Sequence, residues 1–489
     1  MADTTDTDIL IVGAGPVGLF LANECARRGL RWILVEAKSG QSDHSKALAV
    51  MPRTMEIFDM AGIATPFLEA AKGVTRIAME EPSRTLARIQ FAPEESPYPF
   101  VAMVPQDVTE RILVEELRGK GGTVEYQTSF VSAVQRDDCV SVTLDWIGER
   151  RELKAAYVVG CDGAHSAVRH TLDLQFQGGA YDDTFMLADI ETNETVPADE
   201  LQLCPSEHGP LAIFPMSSTR RRMVATVPEV GDEQPSLELV QHLLRERGPR
   251  QMEARSIHWS SYFRVHHRQV THLRVGCVFL AGDAAHIHSP IGGQGMNTGL
   301  HDAWNLVWKL DLALRGHASA LLIDSYDAER TPAIRRVIRM TDLMTRALGT
   351  PNRFAQTARD LAIPILFRLP AFRHTMVKRL SQLGVSYSGS PIVSGNGQRY
   401  FDDSLRGGSG ICSKFVLMIG DGADQSISDA ATDLTNEMDE VVEVRASRTE
   451  GVRLVRPDGY VAFQANGSTA AIGDVRSSLR KMTVARHEH

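Results

Sequence analysis

The sequence lacks any run of about 18 consecutive apolar residues, so no helical membrane span is expected. It also lacks paired cysteines. Cys25, Cys139, Cys161, Cys204, Cys277 and Cys412 stand far apart, which argues against a CxxC redox centre and leaves reduced, partly buried thiols. Basic residues are not in excess: the formal net charge is -9, so no nucleic-acid partner is expected. The start, MADTTDTD, has neither the basic end nor the apolar core of a secretory leader, which makes a cytoplasmic protein the expectation. Histidines pair at His266-His267 and His286-x-His288, but neither pair has a second ligand cluster in sequence, so no metal is expected.

What is present is glycine between strand-like and helix-like segments. DILIV (8–12) reads as a buried parallel strand, GAGPVG follows with Gly13, Gly15 and Gly18, and LFLANECARRG reads as a helix stopped by Gly29. RWILVE then ends in Glu36, completing a βαβ unit. Gly13 permits the tight turn, Gly15 lets backbone approach a pyrophosphate, and Gly18 lets helix pack on strand. The helix N-terminus offers free N–H groups to phosphates, and Glu36 can accept from ribose hydroxyls. This unit alone does not separate FAD from NAD.

A second such element lies at 275–310. The strand VFLA runs into Gly282-Asp283, and Gly292, Gly293 and Gly295 precede a helical pattern of Met296, Leu300, Ala303, Val307 and Leu310. An acid after a strand can bond a ribityl hydroxyl, and a helix N-terminus can stabilise an anionic reduced flavin. A plain nicotinamide dehydrogenase needs no second element of this kind. Between the two, YVVGCDGAHSAVR (157–169) is another strand ending in Gly160, Asp162 and Gly163, followed by Ser166 and Arg169.

Together GAGPVG, CDGAHSAVR and GDAAHIHSPIGGQGMNTGLHDAWNLVWKL resemble the flavoprotein aromatic hydroxylases related to p-hydroxybenzoate hydroxylase, and SYDAERTPAIRRV (325–337) is similar to the helix that follows there. QLGVSYSGSPIV (382–393) and GVRLVRPDGYVAF (451–463) resemble the larger branch with phenol hydroxylase and the polyketide hydroxylases. The resemblance implies an α/β protein with a Rossmann-like FAD-binding domain, a β-sheet substrate domain and a C-terminal thioredoxin-like domain. It implies FAD as cofactor, NADH or NADPH as transient reductant, and O2 with a phenolic or polycyclic aromatic substrate as partners. Oxygen would be transferred by a flavin C4a-hydroperoxide. A homodimer is left open.

Carried over on this resemblance, FAD should touch Ala14, Gly15, Val17, Glu36, Gln106, Asp283 and the backbone of Gly293, Gly295, Met296 and Asn297, with Asp162 as the Asp-Gly acid. The family often has Arg where Ser45-Lys46-Ala47 stands here; Lys46 is a flexible point charge that could attract a flavin carbonyl or the reductant, or simply be solvated. Arg53 opens an amphipathic helix, with a structural charge the plainer reading. Lys46, His286 and Pro290 are the candidates for a catalytic part, His286 and His288 being equally readable as hydrogen-bonded loop histidines. Phe214, Met216 and Phe263 are candidates for an apolar substrate wall or for core. Arg220-Arg221-Arg222 reads as a solvated hairpin turn, with docking of NADPH or an acidic substrate as the alternative.

The expected organisation is an FAD domain from 1–75, 100–180 and 270–345, a substrate sheet from 76–99 and 181–269, a helical connection over 346–394 interrupted by Pro351, Pro364 and Pro370, and the third domain over 395–489. That domain has one cysteine, Cys412, so thiol–disulfide exchange is not expected of it and packing or association is. GGSGIC (407–412) lacks the third glycine and is not read as another dinucleotide turn. No Trp-x-Trp-x-Ile-Pro signature marks a halogenase, and no second nicotinamide fingerprint marks a two-dinucleotide Baeyer–Villiger enzyme. Baeyer–Villiger or epoxidation chemistry on the same fold, or flavin binding without turnover, are the rival readings.

Overall fold

The strand–turn–helix pattern is realised in the computed structural model, which describes residues 5–41, 45–193, 197–227, 234–249, 251–290, 292–350 and 352–484. The side chain of His266, one half of a histidine pair, and the first four residues lie outside the described residues. Among the described residues no three His, Cys, Asp or Glu side chains gather as a metal site would, and no helix is long and apolar enough to cross a membrane.

Thr7–Val12 sits between Trp32–Val35 and Glu149–Gly160, and Glu149–Gly160 in turn pairs with Val278–Leu280, all parallel. The first half of Glu149–Gly160 pairs antiparallel with Val140–Trp146, so one long strand serves two ladders. The consequence for function is positional. Gly13, Glu36, Asp162 and Asp283 each follow the carboxyl end of one of these parallel strands, where open α/β sheets bind ligands. Helix Pro16–Arg27 covers the sheet, with Pro at its first position and Gly29 at φ 70 beyond its end.

A second sheet has eight strands in the order His286–Ile287, Ala254–Val270, Phe176–Thr192, Arg220–Val227, Leu211–Pro215, Glu200–Cys204, Arg76–Glu81 and Arg84–Gln90. Helix Leu237–Arg247 packs on one face with Val240, Leu243 and Leu244 buried. Leu203, Phe214 and Val224 bury against the other side, toward Met51 and Met103. The reading of Arg220–Arg222 as a solvated turn is overturned here. The turn is Met216–Thr219, and Arg221 and Arg222 lie inside the strand at 1 % exposure each. The physical reason is a partner in register: Asp189 faces Arg222 on the neighbouring strand and takes both ends of its guanidinium, at 2.7 and 2.9 Å.

Helices Gly295–Leu314, Ala320–Leu348, Arg353–Arg368 and Pro370–Leu380 follow. Pro364 lies inside Arg353–Arg368 and does not interrupt it, whereas Pro370 opens the next helix at its first position; Pro351 lies outside the described residues.

The C-terminal unit runs Phe415–Gly420, helix Gln425–Glu437, Val442–Ser447, Val452–Val455, Val461–Ala465 and helix Thr469–Met482. The first two strands are parallel and the last two antiparallel, which is the βαβ–ββα arrangement of a thioredoxin-like domain. Its turn 456–460 is driven against helices Gly295–Leu314 and Ala320–Leu348. Arg456 bonds Glu329 at 2.5 and 2.8 Å and Asp458 at 2.5 Å, Lys309 reaches Glu329 at 2.9 Å, and all four side chains are fully buried. Two cations and two carboxylates cancel, which is the condition for burying them. Arg53 belongs to the same seam: it bonds Glu56 at 2.9 Å and the carbonyl of Asp458 at 3.1 Å, a structural charge. The loop of GGSGIC packs on the first helix, Arg27 donating to the carbonyls of Gly408 and Ile411 and Arg28 to that of Cys412.

Candidate functional site

The first glycine turn is shaped by what a side chain would hit. Gly13 has φ 101, and a Cβ there would come within 2.6 Å of the carbonyl of Cys161. A Cβ on Gly18 would come within 2.0 Å of the carbonyl of Gly13. Around Gly15 a Cβ would meet nothing within 4 Å, so the space in front of this turn is left open. The helix starting there has no side-chain cap, which leaves its first N–H groups for a bound anion. Glu36 accepts from the N–H of Ala14 at 2.8 Å and of Lys38 at 3.0 Å, fixing the turn while its carboxylate keeps further acceptor capacity.

The second glycine element meets the first directly. A Cβ on Gly299 would come within 2.6 Å of Val17 and 3.0 Å of the Cα of Gly282. Thus helix Gly295–Leu314, the Gly282–Asp283 turn and the first glycine-rich helix touch at one point. Asp283 is reachable by water yet enclosed by protein, the condition of a group in a deep cleft. Burial pushes its carboxyl above the usual carboxylate range, against the pull of His286 and the Lys46 charge. Lys46 itself is exposed. Asp162 accepts from the N–H of Val168 at 3.2 Å through one oxygen; the other is buried without a partner, and burial raises this carboxyl too. Arg169 spans from this element to the next, donating to the carbonyl of Ala284 at 3.2 Å.

The loop before helix Gly295–Leu314 turns at Pro290, whose carbonyl accepts from Gly293, with Gly292 and Gly293 at φ 93 and 62. The side chain of Asn297 is fully used: it accepts from Met51 and Thr54 and donates to the carbonyls of Ala49 and Gly293. Only its backbone, with that of Gly295 and Met296, is left for a ligand. His288 lies 3.6 Å from where a Gly295 Cβ would stand. Its Nδ1 donates to the carbonyl of Ser289 at 3.2 Å, so Nε2 is a bare, buried acceptor without a partner. Burial lowers its pKa to about 4, which keeps it neutral. His286 is instead packed behind the Asp283 turn, its Nε2 2.7 Å from Asp302.

Sequence reasoning missed Arg222 and Asp189. Beyond their mutual pair, Arg222 donates to the carbonyls of Ala47 at 3.0 Å and Lys46 at 3.2 Å. Gln106 completes this hold, accepting from the N–H of Ala47 at 3.1 Å, while its own N–H donates to Ser45 at 2.8 Å. The only sequence signal was Asp189 in LADIE, which becomes informative once the strands are registered. Beside this segment lies an apolar cavity of about 40 Å³ walled by Met51, Phe91, Met103, Phe214, Gly292 and Met344 among others. Phe214 is therefore on the wall. Met216 and Phe263 pack against the same apolar cluster without lining the cavity, Phe263 stacked on Phe185 at 5.9 Å.

Residues 6–341 match the family model described as an FAD binding domain. The chain belongs to that FAD-binding family. Among its relatives, this FAD-binding protein is 33% identical over 399 residues to a 6-methylpretetramide 4-monooxygenase of Streptomyces rimosus, covering 80% of this chain and 71% of that one. It is 32% identical over 493 residues to an uncharacterized aromatic compound monooxygenase of Bacillus subtilis, covering 96% of each. Among solved structures it is similar to the OxyS anhydrotetracycline hydroxylase from Streptomyces rimosus, with a TM-score of 0.80 and 29% identity over 97% of this chain and 99% of that one. The FAD-binding chain is thus a flavin-dependent monooxygenase. The residues present fit the cofactor: an open approach at Gly15, an uncapped helix start, and buried polar atoms without a partner on Asp162, beside the first glycine turn, and on His288, beside the start of helix Gly295–Leu314.

Proposed function

We propose that this protein hydroxylates a phenolic or polycyclic aromatic substrate with O2 and NADH or NADPH. The observation that carries the proposal is the wholly apolar cavity whose wall includes both Phe214 of the covering sheet and Gly292 of the loop opening helix Gly295–Leu314. An aromatic ring suits such a lining in chemistry, and at about 40 Å³ the cavity admits one only when flexible wall side chains such as Met51, Met103 and Met344 swing aside; a dry wall beside the flavin would suppress loss of activated oxygen to water. The relatives above are named for 6-methylpretetramide, an aromatic compound and anhydrotetracycline, which agrees with that class.

Bound FAD supplies the hydride acceptance and O2 activation; the chain supplies binding, orientation and dryness. In this reading the Gly13–Gly18 turn takes the pyrophosphate, with Glu36 on the ribose and Asp283 on the ribityl chain. The N–H groups of Gly295 and Met296, at an uncapped helix start, would hold the ring and would favour its anionic form through the helix dipole. Lys46, held on a segment fixed by Arg222 and Gln106, supplies a positive charge on the side of Asp283. The His286 ring positions the cleft from behind. No side chain of the apolar wall can act as a base, so substrate activation rests on the ring's own electron-donating hydroxyl.

The test is a panel of phenols, salicylate-like acids and polycyclic polyketides incubated with the purified yellow protein and NADH or NADPH. A substrate should accelerate reductant consumption and appear as a product one oxygen atom heavier. Reductant consumption that no aromatic compound accelerates, or a lactone or epoxide as product, contradicts hydroxylation.

A further inference from the structure

We infer that Asp302 is a positioning residue for the flavin: its carboxylate sets the Gly282–Asp283 turn, and so Asp283, against the start of helix Gly295–Leu314. The inference rests on the reading of Asp283 as a ribityl ligand. One carboxylate oxygen accepts from the N–H of Gly282 at 3.1 Å and from His286 at 2.7 Å. The other accepts from Arg330 at 2.7 Å. Arg330 also donates to the carbonyl of Thr298, in the first turn of the helix, at 3.1 Å, and to the hydroxyl of Tyr387 at 3.2 Å. One buried carboxylate therefore bonds the residue preceding Asp283, the strand after it and, through Arg330, the carbonyl end of the helix's first turn.

Sterics alone do not fix this arrangement. The contact of Gly299 with Gly282 and Val17 sets how closely the elements approach. Backbone bonds hold the two ends of the turn, Ala281 donating to Gly160 and Val270 to Ala285, and Arg169 holds the carbonyl of Ala284; the N–H of Gly282, next to Asp283, is held by Asp302, and rotation there would swing Asp283 away. The hydrogen bond from Gly282 opposes that rotation. A buried carboxylate is also a poor choice for packing, because its desolvation offsets much of what its partners return. An apolar residue could fill the same space; it could not fix three donors in one orientation. Asp302 accepts at both oxygens, so an amide in its place must turn an N–H2 toward either Arg330 or the Gly282 and His286 pair, and one set is lost.

The experiment compares Asp302→Asn, Asp283→Ala and Leu434→Ala in the full chain, by FAD titration of apoprotein, by the visible spectrum of bound flavin and by thermal unfolding. Leu434 is buried in the core of the C-terminal domain, so its truncation lowers stability away from the cleft. Asp302→Asn is expected to weaken FAD at least tenfold and to shift the flavin bands, whereas Leu434→Ala lowers the melting temperature with FAD affinity unchanged. If Asp302→Asn does not fold, Arg330→Lys, which keeps the charge and loses the fork to Thr298 and Tyr387, should weaken FAD several-fold. Asp283→Ala with parental affinity overturns the ribityl reading. Asp283→Ala weakened alongside an Asp302→Asn or Arg330→Lys protein within twofold of the parent overturns the positioning role alone.

Discussion

Replacing Gly15 with valine separates ligand binding from folding at a single position. Gly15 has φ -73 and ψ -179, a conformation any residue adopts, and a Cβ there meets nothing within 4 Å. The folded chain should therefore accept the substitution, and the reduced freedom of the unfolded chain should add about 0.4–1 kcal/mol of stability. The same change at Gly18 drives a Cβ to 2.0 Å from a backbone carbonyl and should cost folding instead. For FAD the sign reverses. Hydrogen bonds to charged groups contribute about 1.5–3 kcal/mol each. A side chain that holds the pyrophosphate off two of the helix N–H groups should cost about 3–6 kcal/mol, or roughly 10²–10⁴ in Kd. Quenching of flavin fluorescence on titration gives the affinity, and thermal unfolding of the apoprotein gives the stability. A Gly15→Val protein with parental FAD affinity refutes the placement of the pyrophosphate; one whose apoprotein unfolds well below the parent refutes the claim that this space is kept for a ligand.

Asp283→Ala should purify with much less flavin, checked by the absorbance ratio of flavin to protein and reversed in part by excess FAD. Arg456→Met should destabilise the chain by about 3–5 kcal/mol, because it leaves Asp458 buried without a cation and Glu329 with Lys309 alone, and urea unfolding measures it. His288 gives a pH signature. Its folded pKa, about 4, lies below the unfolded value of about 6.5, so the unfolded state binds the proton first and stability falls as pH drops from 6.5 toward 4. The loss should be about 3 kcal/mol and should shrink in His288→Leu, seen by unfolding at pH 7, 5.5 and 4.5.

The parts of the site legible in the sequence are those whose cause is local. A glycine at a turn, a proline at a helix start and an acid after a strand owe their residue type to neighbours a few positions away. Gly13, Gly18, Glu36 and Gly282–Asp283 accordingly fall where a strand–turn–helix reading puts them. What was not legible depends on pairing across the sheet. Three consecutive arginines read as solvated because charges normally are. Arg222 is buried only because Asp189, 33 positions earlier, stands opposite it in register. The burial of Arg53 is of the same kind, since its partner carbonyl at Asp458 is 405 residues away. The division of labour between His286 and His288 also escaped the sequence: two residues apart, one faces Asp302 and the other the helix start. Pro364 inside Arg353–Arg368 shows the limit of the opposite rule, a helix breaker overridden by the turns on either side of it.

The proposed function requires oxygen transfer from a flavin held between the two glycine-started helices. The most direct measurement is turnover of an aromatic substrate under ¹⁸O2 in ordinary water, with the product weighed by mass spectrometry. One labelled oxygen per product, formed only by protein that retains FAD, is the predicted result. Product carrying oxygen from water, or unlabelled substrate recovered while NAD(P)H is consumed for every compound tried, contradicts it.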